Sequence, residues 1–69
     1  VTVAHAVDLL THYSFDLGTD SANQLVDRWL NHYSASWIRW AVIEALYQGR
    51  YKAISVDQIL QLWHRRQHP

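Results

Sequence analysis

Between Ser21 and Tyr33, apolar residues fall at Ala22, Leu25, Val26, Trp29, Leu30 and Tyr33, with Asn23, Gln24, Asp27, Arg28 and Asn31 between them. That spacing predicts an α-helix with one apolar stripe and one solvated face. A similar period runs through Thr2–Tyr13, where Val3, Val7, Leu10 and Tyr13 recur at helical intervals. From Ser36 to Gln48 the pattern changes. Trp37, Ile38, Trp40, Ala41, Val42, Ile43, Ala45, Leu46 and Tyr47 leave almost no polar face, which predicts a central helix buried on most sides. Val56, Ile59, Leu60 and Trp63 mark a fourth helix, which Arg65, Arg66 and Pro69 close.

Residues at the breaks support four separate helices. Gly18, in Phe15–Asp20, is free to take a positive φ, and Thr19 or Asp20 is a natural N-cap for the second helix. Ser34 and Ser36 offer two caps for the third helix, and Gly49 suits its C′ position. Residues 50–54 read as a loop, after which Ser55 and Gln58 have the spacing of a capping box. No run alternates with period two and no Asn-Gly turn occurs, so strands are not expected. The predicted fold is all-α, a compact bundle of about four short helices spanning residues 1–69 as one domain.

A chain of 69 residues buries only about 60% of the surface it exposes when unfolded, so its core must be dense. With 49% apolar residues and four tryptophans it has the means. It has no cysteine, which removes disulfides and thiolate metal ligands and fits a cytoplasmic protein. No apolar run approaches the roughly 20 residues of a membrane helix, and no signal-peptide pattern is visible. The sequence starts at Val1 without an initiator methionine, so a domain cut from a longer protein is expected.

Charge is balanced overall but unevenly placed. Residues 1–38 carry Asp8, Asp16, Asp20 and Asp27 against Arg28, a balance of −3. Residues 39–69 carry Arg39, Arg50, Lys52, Arg65 and Arg66 against Glu44 and Asp57, a balance of +3. A dedicated DNA-binding domain usually has a basic excess overall, and this chain has none.

Catalytic and metal chemistry find little support. Glu44 is the only glutamate and sits in the most apolar helix, where local pairing is expected. There is no nucleophile–base pairing, no Gly-rich phosphate loop and too little chain for a deep pocket, so neither an enzyme nor a small-molecule substrate is expected. His64 and His68 are four apart, but zinc takes three or four ligands and no acidic or thiol partner is near. His5, His12 and His32 are scattered. No metal or other cofactor is expected.

Two basic-aromatic segments remain as candidate contacts for a nucleic acid or a partner protein. One is Arg50, Tyr51 and Lys52; the other is Trp63 with His64, Arg65 and Arg66. By periodicity Trp63 completes the inward stripe of the last helix, so it is read first as a core anchor, with the arginines beyond it as the contacts. The alternative presents its ring to a base beside phosphate-neutralising arginines. Trp37, Trp40, Tyr47 and Tyr51 cannot all fit inside so small a core, and clustered exposed aromatics favour protein interfaces.

Order and spacing across Ser14–Arg66 also resemble a known family. Trp29, Leu30 and Tyr33 form W-L-x-x-Y; Ile38, Ala41 and Ala45 form a small-residue ladder; and Ile59, Leu60 and Trp63 form I-L-x-x-W on a final helix. The segment resembles the DnaD-like domain, the C-terminal helical module of bacterial primosome proteins. That resemblance implies a helical fold and a cytoplasmic role in DNA replication. It also implies single-stranded DNA binding and self-association through a Y-x-x-x-I-x-x-x-W signature on the last helix. Ile59 and Trp63 match, but Ser55 stands where the tyrosine belongs and offers no ring. The expected function is a non-catalytic module contacting single-stranded DNA, assembling DNA-associated proteins, or both. The candidate contacts are Arg50, Tyr51, Lys52, Ile59, Trp63, Arg65 and Arg66. The alternative is a protein-interaction or oligomerisation domain with no nucleic-acid role.

Overall fold

A computed structural model describes the backbone of residues 3–68 and the side chains of residues 6–68. Thr2 and Pro69, and the side chains of Val3 and His5, on which the stripe, boundary and metal expectations touched, lie outside the described residues. Four helices follow in order, α1 Val3–His12, α2 Ala22–Leu30, α3 Ala35–Tyr47 and α4 Ala53–Arg66. Helix α3 packs against the other three, most extensively against α4. The all-α expectation holds, and no strand occurs among the described residues.

The core is formed by Leu10, Val26, Ile38, Val42, Val56 and Leu60, all fully buried, with Trp29, Trp63 and Phe15 around them. Ala41 and Ala45 are also wholly buried, and their small side chains suit the close approach of α3 to its neighbours. Among the described residues no polar or charged residue is buried, so this core rests mainly on apolar contact. In α1 the inward residues are Ala6 and Leu10. Tyr13, placed on the stripe by its spacing, stands about half exposed because the helix ends at His12 and Ser14 (φ 53) turns the chain away.

Caps explain most of the boundaries. The N-cap of α2 is Ser21, directly after the expected Thr19 or Asp20. Its Oγ accepts from the Gln24 N–H (3.1 Å) and Gln24 Oε1 accepts from the Ser21 N–H (2.8 Å), a complete capping box. Asp20 pairs with Arg28 at 2.8 Å instead. Ser34 caps α3 by accepting from the Trp37 N–H.

The capping box expected at Ser55 and Gln58 does not form. Helix α4 starts three residues earlier, at Ala53, and its N-cap Lys52 makes no side-chain capping bond. The missing acceptor comes from elsewhere in the chain. The Ala53 N–H donates to the Asp16 carbonyl (2.9 Å), and the Asp16 N–H donates to the Tyr51 carbonyl (2.8 Å). This main-chain clamp satisfies one of the orphan donors of the helix start, and Ser55 then falls inside the first turn.

Three helices end in the Schellman pattern. At α3, Arg50 N–H reaches the Ala45 carbonyl and Gly49 N–H the Leu46 carbonyl, with Gly49 at φ 73, as expected for a C′ glycine. The same two bonds occur at α1, from Phe15 to Leu10 and Ser14 to Thr11, and at α4, from His68 to Trp63 and Gln67 to His64. There the left-handed residues are Ser14 and Gln67, not glycine. Left-handed backbone strains any residue with a Cβ, so Ser14→Gly and Gln67→Gly should each stabilise the fold, by up to about 1 kcal/mol. Thermal melts of the two variants check this.

Candidate functional site

Helix α3 carries two apolar stripes where the sequence showed one apolar cylinder. Ile38, Ala41, Val42 and Ala45 face the core, whereas Trp40 is 50% and Tyr47 89% exposed. The expectation of a helix buried on most sides is therefore corrected, because the outward stripe meets only α4, and only along one edge. Between the two helices lies an open groove of about 710 Å³. Trp40, Ile43 and Tyr47 form its α3 wall, and Leu62, 44% exposed, stands on the α4 wall above Ile59 and Trp63.

Polar groups occupy the margins of this groove. The Arg39 guanidinium lies over the Trp40 ring, 5.1 Å from its centroid, in cation–π geometry. Arg66 lines the same end, its Nε donating to the His68 carbonyl. Farther along α3, Glu44 accepts a hydrogen bond from Gln48 Nε2 (2.7 Å), the local pairing expected of it.

Trp63 is buried, with 7% of its surface exposed, and its ring packs edge-to-face on Trp37 at 6.3 Å. Trp37 in turn stacks with Tyr33. Ile59 is buried as well. The reading that offered these two side chains as open contacts is corrected to this extent: neither presents a free face, and each shows only the sliver that floors the groove. A tryptophan four residues beyond Ile59 completes an inward stripe, and burying so large a ring outweighs displaying it in a core this small.

The two basic segments do not meet. Arg50, Tyr51 and Lys52 precede α4, and Arg65 and Arg66 end it. Helix α4, 14 residues long, carries the second segment at its far end, which keeps the two roughly 20 Å apart at the usual rise. All five side chains are exposed, and Tyr51 rests edge-to-face on Phe15. Arg65 and Arg66 make no ion pair with the aspartates of the first half among the described residues.

Behind the groove, Asp57 joins α2 to α4. Its Oδ1 accepts from Trp29 Nε1 (3.2 Å) and its Oδ2 from Gln61 Nε2 (2.7 Å). Tyr33 lies beside it, and burial, with a contribution from the Asp57 carboxylate, raises the Tyr33 phenol above its ordinary value of 10.0. The folded chain thus holds this proton more tightly than the unfolded chain. The resulting stability is complete below pH 10.0 and is lost as pH rises toward the folded value. Tyr33→Phe should flatten that alkaline decline, read as the difference between wild-type and variant melts on either side of pH 10.0.

His32 and His64 flank Tyr33, but no group of three metal-ligating side chains occurs among the described residues. No helix there is long and apolar enough to cross a membrane.

No family model, curated protein or solved structure matches this chain.

The groove residues Trp40, Ile43 and Tyr47 share an i, i+3, i+7 spacing within α3, but the apolar residues around them hide that row in the sequence. Leu62, like Ile54, was legible as an apolar residue of α4 outside its inward set. Arg39 left no such sign, since its role comes from lying on Trp40.

Proposed function

We propose that this domain is a non-catalytic protein-interaction module that receives a partner in the groove between α3 and α4. One observation carries the reading. Trp40, Tyr47 and Leu62 stand exposed around a single groove while its other large apolar side chains, Ile43, Ile59 and Trp63, are buried or half-buried. Apolar surface concentrated this way favours association, and tryptophan, tyrosine and arginine supply most of the binding energy at protein interfaces. The assembly role implied by the resemblance to DnaD-like domains points the same way.

A second reading, contact with single-stranded DNA, draws on Arg39 stacked on Trp40 beside Arg66. A ring flanked by cations is suited to a base and its phosphate. The distance between the two basic segments speaks against a continuous backbone track, and zero net charge against strong non-specific attraction.

One set of variants separates the readings. Trp40→Ala with Leu62→Ala should reduce recovery of bound protein by at least about tenfold, the effect of truncating interface hot spots. The melting temperature should change little. Removing the charges of Arg65 and Arg66 should leave that recovery largely intact. Unchanged recovery by the groove variant would refute the protein-docking reading. Steeply salt-dependent binding of single-stranded DNA that disappears with Arg65 and Arg66 would establish the second one.

A further inference from the structure

Resting on the protein-docking reading and naming its partner, we propose that the α3–α4 groove receives a second copy of this chain, turned end for end about a two-fold axis. The layout of the groove supports this in charge and in shape.

Helices α3 and α4 run antiparallel, since only residues 48–52 join them and Trp63, late in α4, packs on Trp37, early in α3. The groove residues therefore fall in order between two ends. Glu44, Tyr47 and Gln48 lie toward the end of α3, and Leu62 and Arg66 toward the end of α4, which is the opposite end of the groove. Trp40, Ile43 and Ile59 span the distance between them.

Glu44 and Arg66 are the charged residues that line the groove, one of each sign. Opposite charges at opposite ends favour neither an acidic nor a basic partner, but they match the same pair reversed. A two-fold axis across the middle sets Glu44 of each copy against Arg66 of the other, so one contact forms twice. Gln48 engages only Glu44 Oε2, and the His68 carbonyl only Arg66 Nε. Glu44 Oε1 and the two Nη groups of Arg66 are left to make the pair.

Shape follows the same reversal. Tyr47 is the most exposed large apolar residue among those described and stands at the Glu44 end, whereas Leu62 stands at the Arg66 end over buried Trp63. The reversal lays each Tyr47 across Leu62 of the other copy and covers Trp40 and Ile43 of both. An open aromatic side chain offers roughly 150–250 Å², so Trp40, Tyr47 and Leu62 give each copy on the order of 350 Å² of apolar surface. A standard interface takes about 800 Å² per partner, a little over half of it apolar. These three side chains supply most of that share, which is the size of a weak, reversible dimer.

The test is sedimentation of the intact chain over about 1–500 µM at low ionic strength, a range that brackets a micromolar dissociation constant. Trp40→Ala should weaken the dimer about tenfold or more. Glu44→Arg and Arg66→Glu should each do the same, to about tenfold, by turning both copies of the contact into repulsions. Mixed in equal amounts, the two charge-reversed variants should associate nearly as well as the wild type, because every contact across the mixed pair again joins opposite charges. Circular dichroism shows each variant folded, and rescue by mixing cannot come from a folding defect.

A chain that stays monomeric throughout would overturn the second copy, and the docking reading then stands or falls on the recovery lost with Trp40→Ala and Leu62→Ala. A dimer indifferent to Trp40→Ala, species larger than a dimer, or charge-reversed variants that fail to rescue each other would overturn the two-fold arrangement. A monomer that binds a single-stranded oligothymidylate through Trp40 would overturn both readings in favour of a nucleic acid.

Discussion

Trp63→Ala is expected to lower the melting midpoint by about 12 °C or more and to leave much of the population unfolded at physiological temperature. Removing a buried tryptophan costs about 3–5 kcal/mol in lost transfer energy and cavity. A domain of 69 residues holds roughly 3–10 kcal/mol in all. Trp63 fills the junction between α3 and α4 and braces Trp37, so nothing nearby is positioned to close the space it leaves. Trp63→Phe, which keeps an aromatic body, should lose much less. Far-UV circular dichroism during heating reads both. An alanine variant that melts like the wild type while losing a partner would instead make Trp63 a surface contact.

Asp57→Ala is the next largest expected change, at about 1–3 kcal/mol. Two donors, Trp29 Nε1 and Gln61 Nε2, lose their acceptor together. The indole is the costlier of the two, because Trp29 is nearly buried and its N–H has little access to water. Asp57→Asn keeps a carbonyl oxygen of similar shape and should retain a good part of the lost stability. Urea denaturation of the three proteins separates these outcomes, and equal midpoints would show that the carboxylate contributes nothing to the α2–α4 junction.

Much of the fold was legible because it is local. The stripe Leu25, Val26 and Trp29 of α2 and the stripe Val56, Ile59, Leu60 and Trp63 of α4 both face inward as their periodicity requires. Gly49 sits where a left-handed residue is needed. The errors fall where distant parts of the chain act. Ser55 and Gln58 have the spacing of a cap, but the Asp16 carbonyl reaches Ala53 first, and nothing near residue 53 announces an acceptor 37 positions earlier. Phe15 passed for a loop residue because its place in the core depends on the chain reversal at Ser14.

The candidate site was less legible than the fold for a related reason. Helix α3 contains so many apolar residues that its core-facing and solvent-facing rows merge when read along the sequence. Only the position of α4 shows that Trp40 and Tyr47 lie across an open seam from Leu62. The basic segments raised the opposite problem. Read along the chain they invite being joined into one patch, and helix length alone keeps them apart.

The clamp between Asp16 and the start of α4 is made wholly of main-chain atoms, so no side chain is needed to keep it. It fastens the connector after α1 to the first residue of α4, bridging the two halves of the sequence. Helix α4 is thereby tied at its beginning to one half and along its length to α3, and it cannot peel off as an independent flap. The start of α4 is thus joined by backbone to the first half of the chain as well as by side chains to α3.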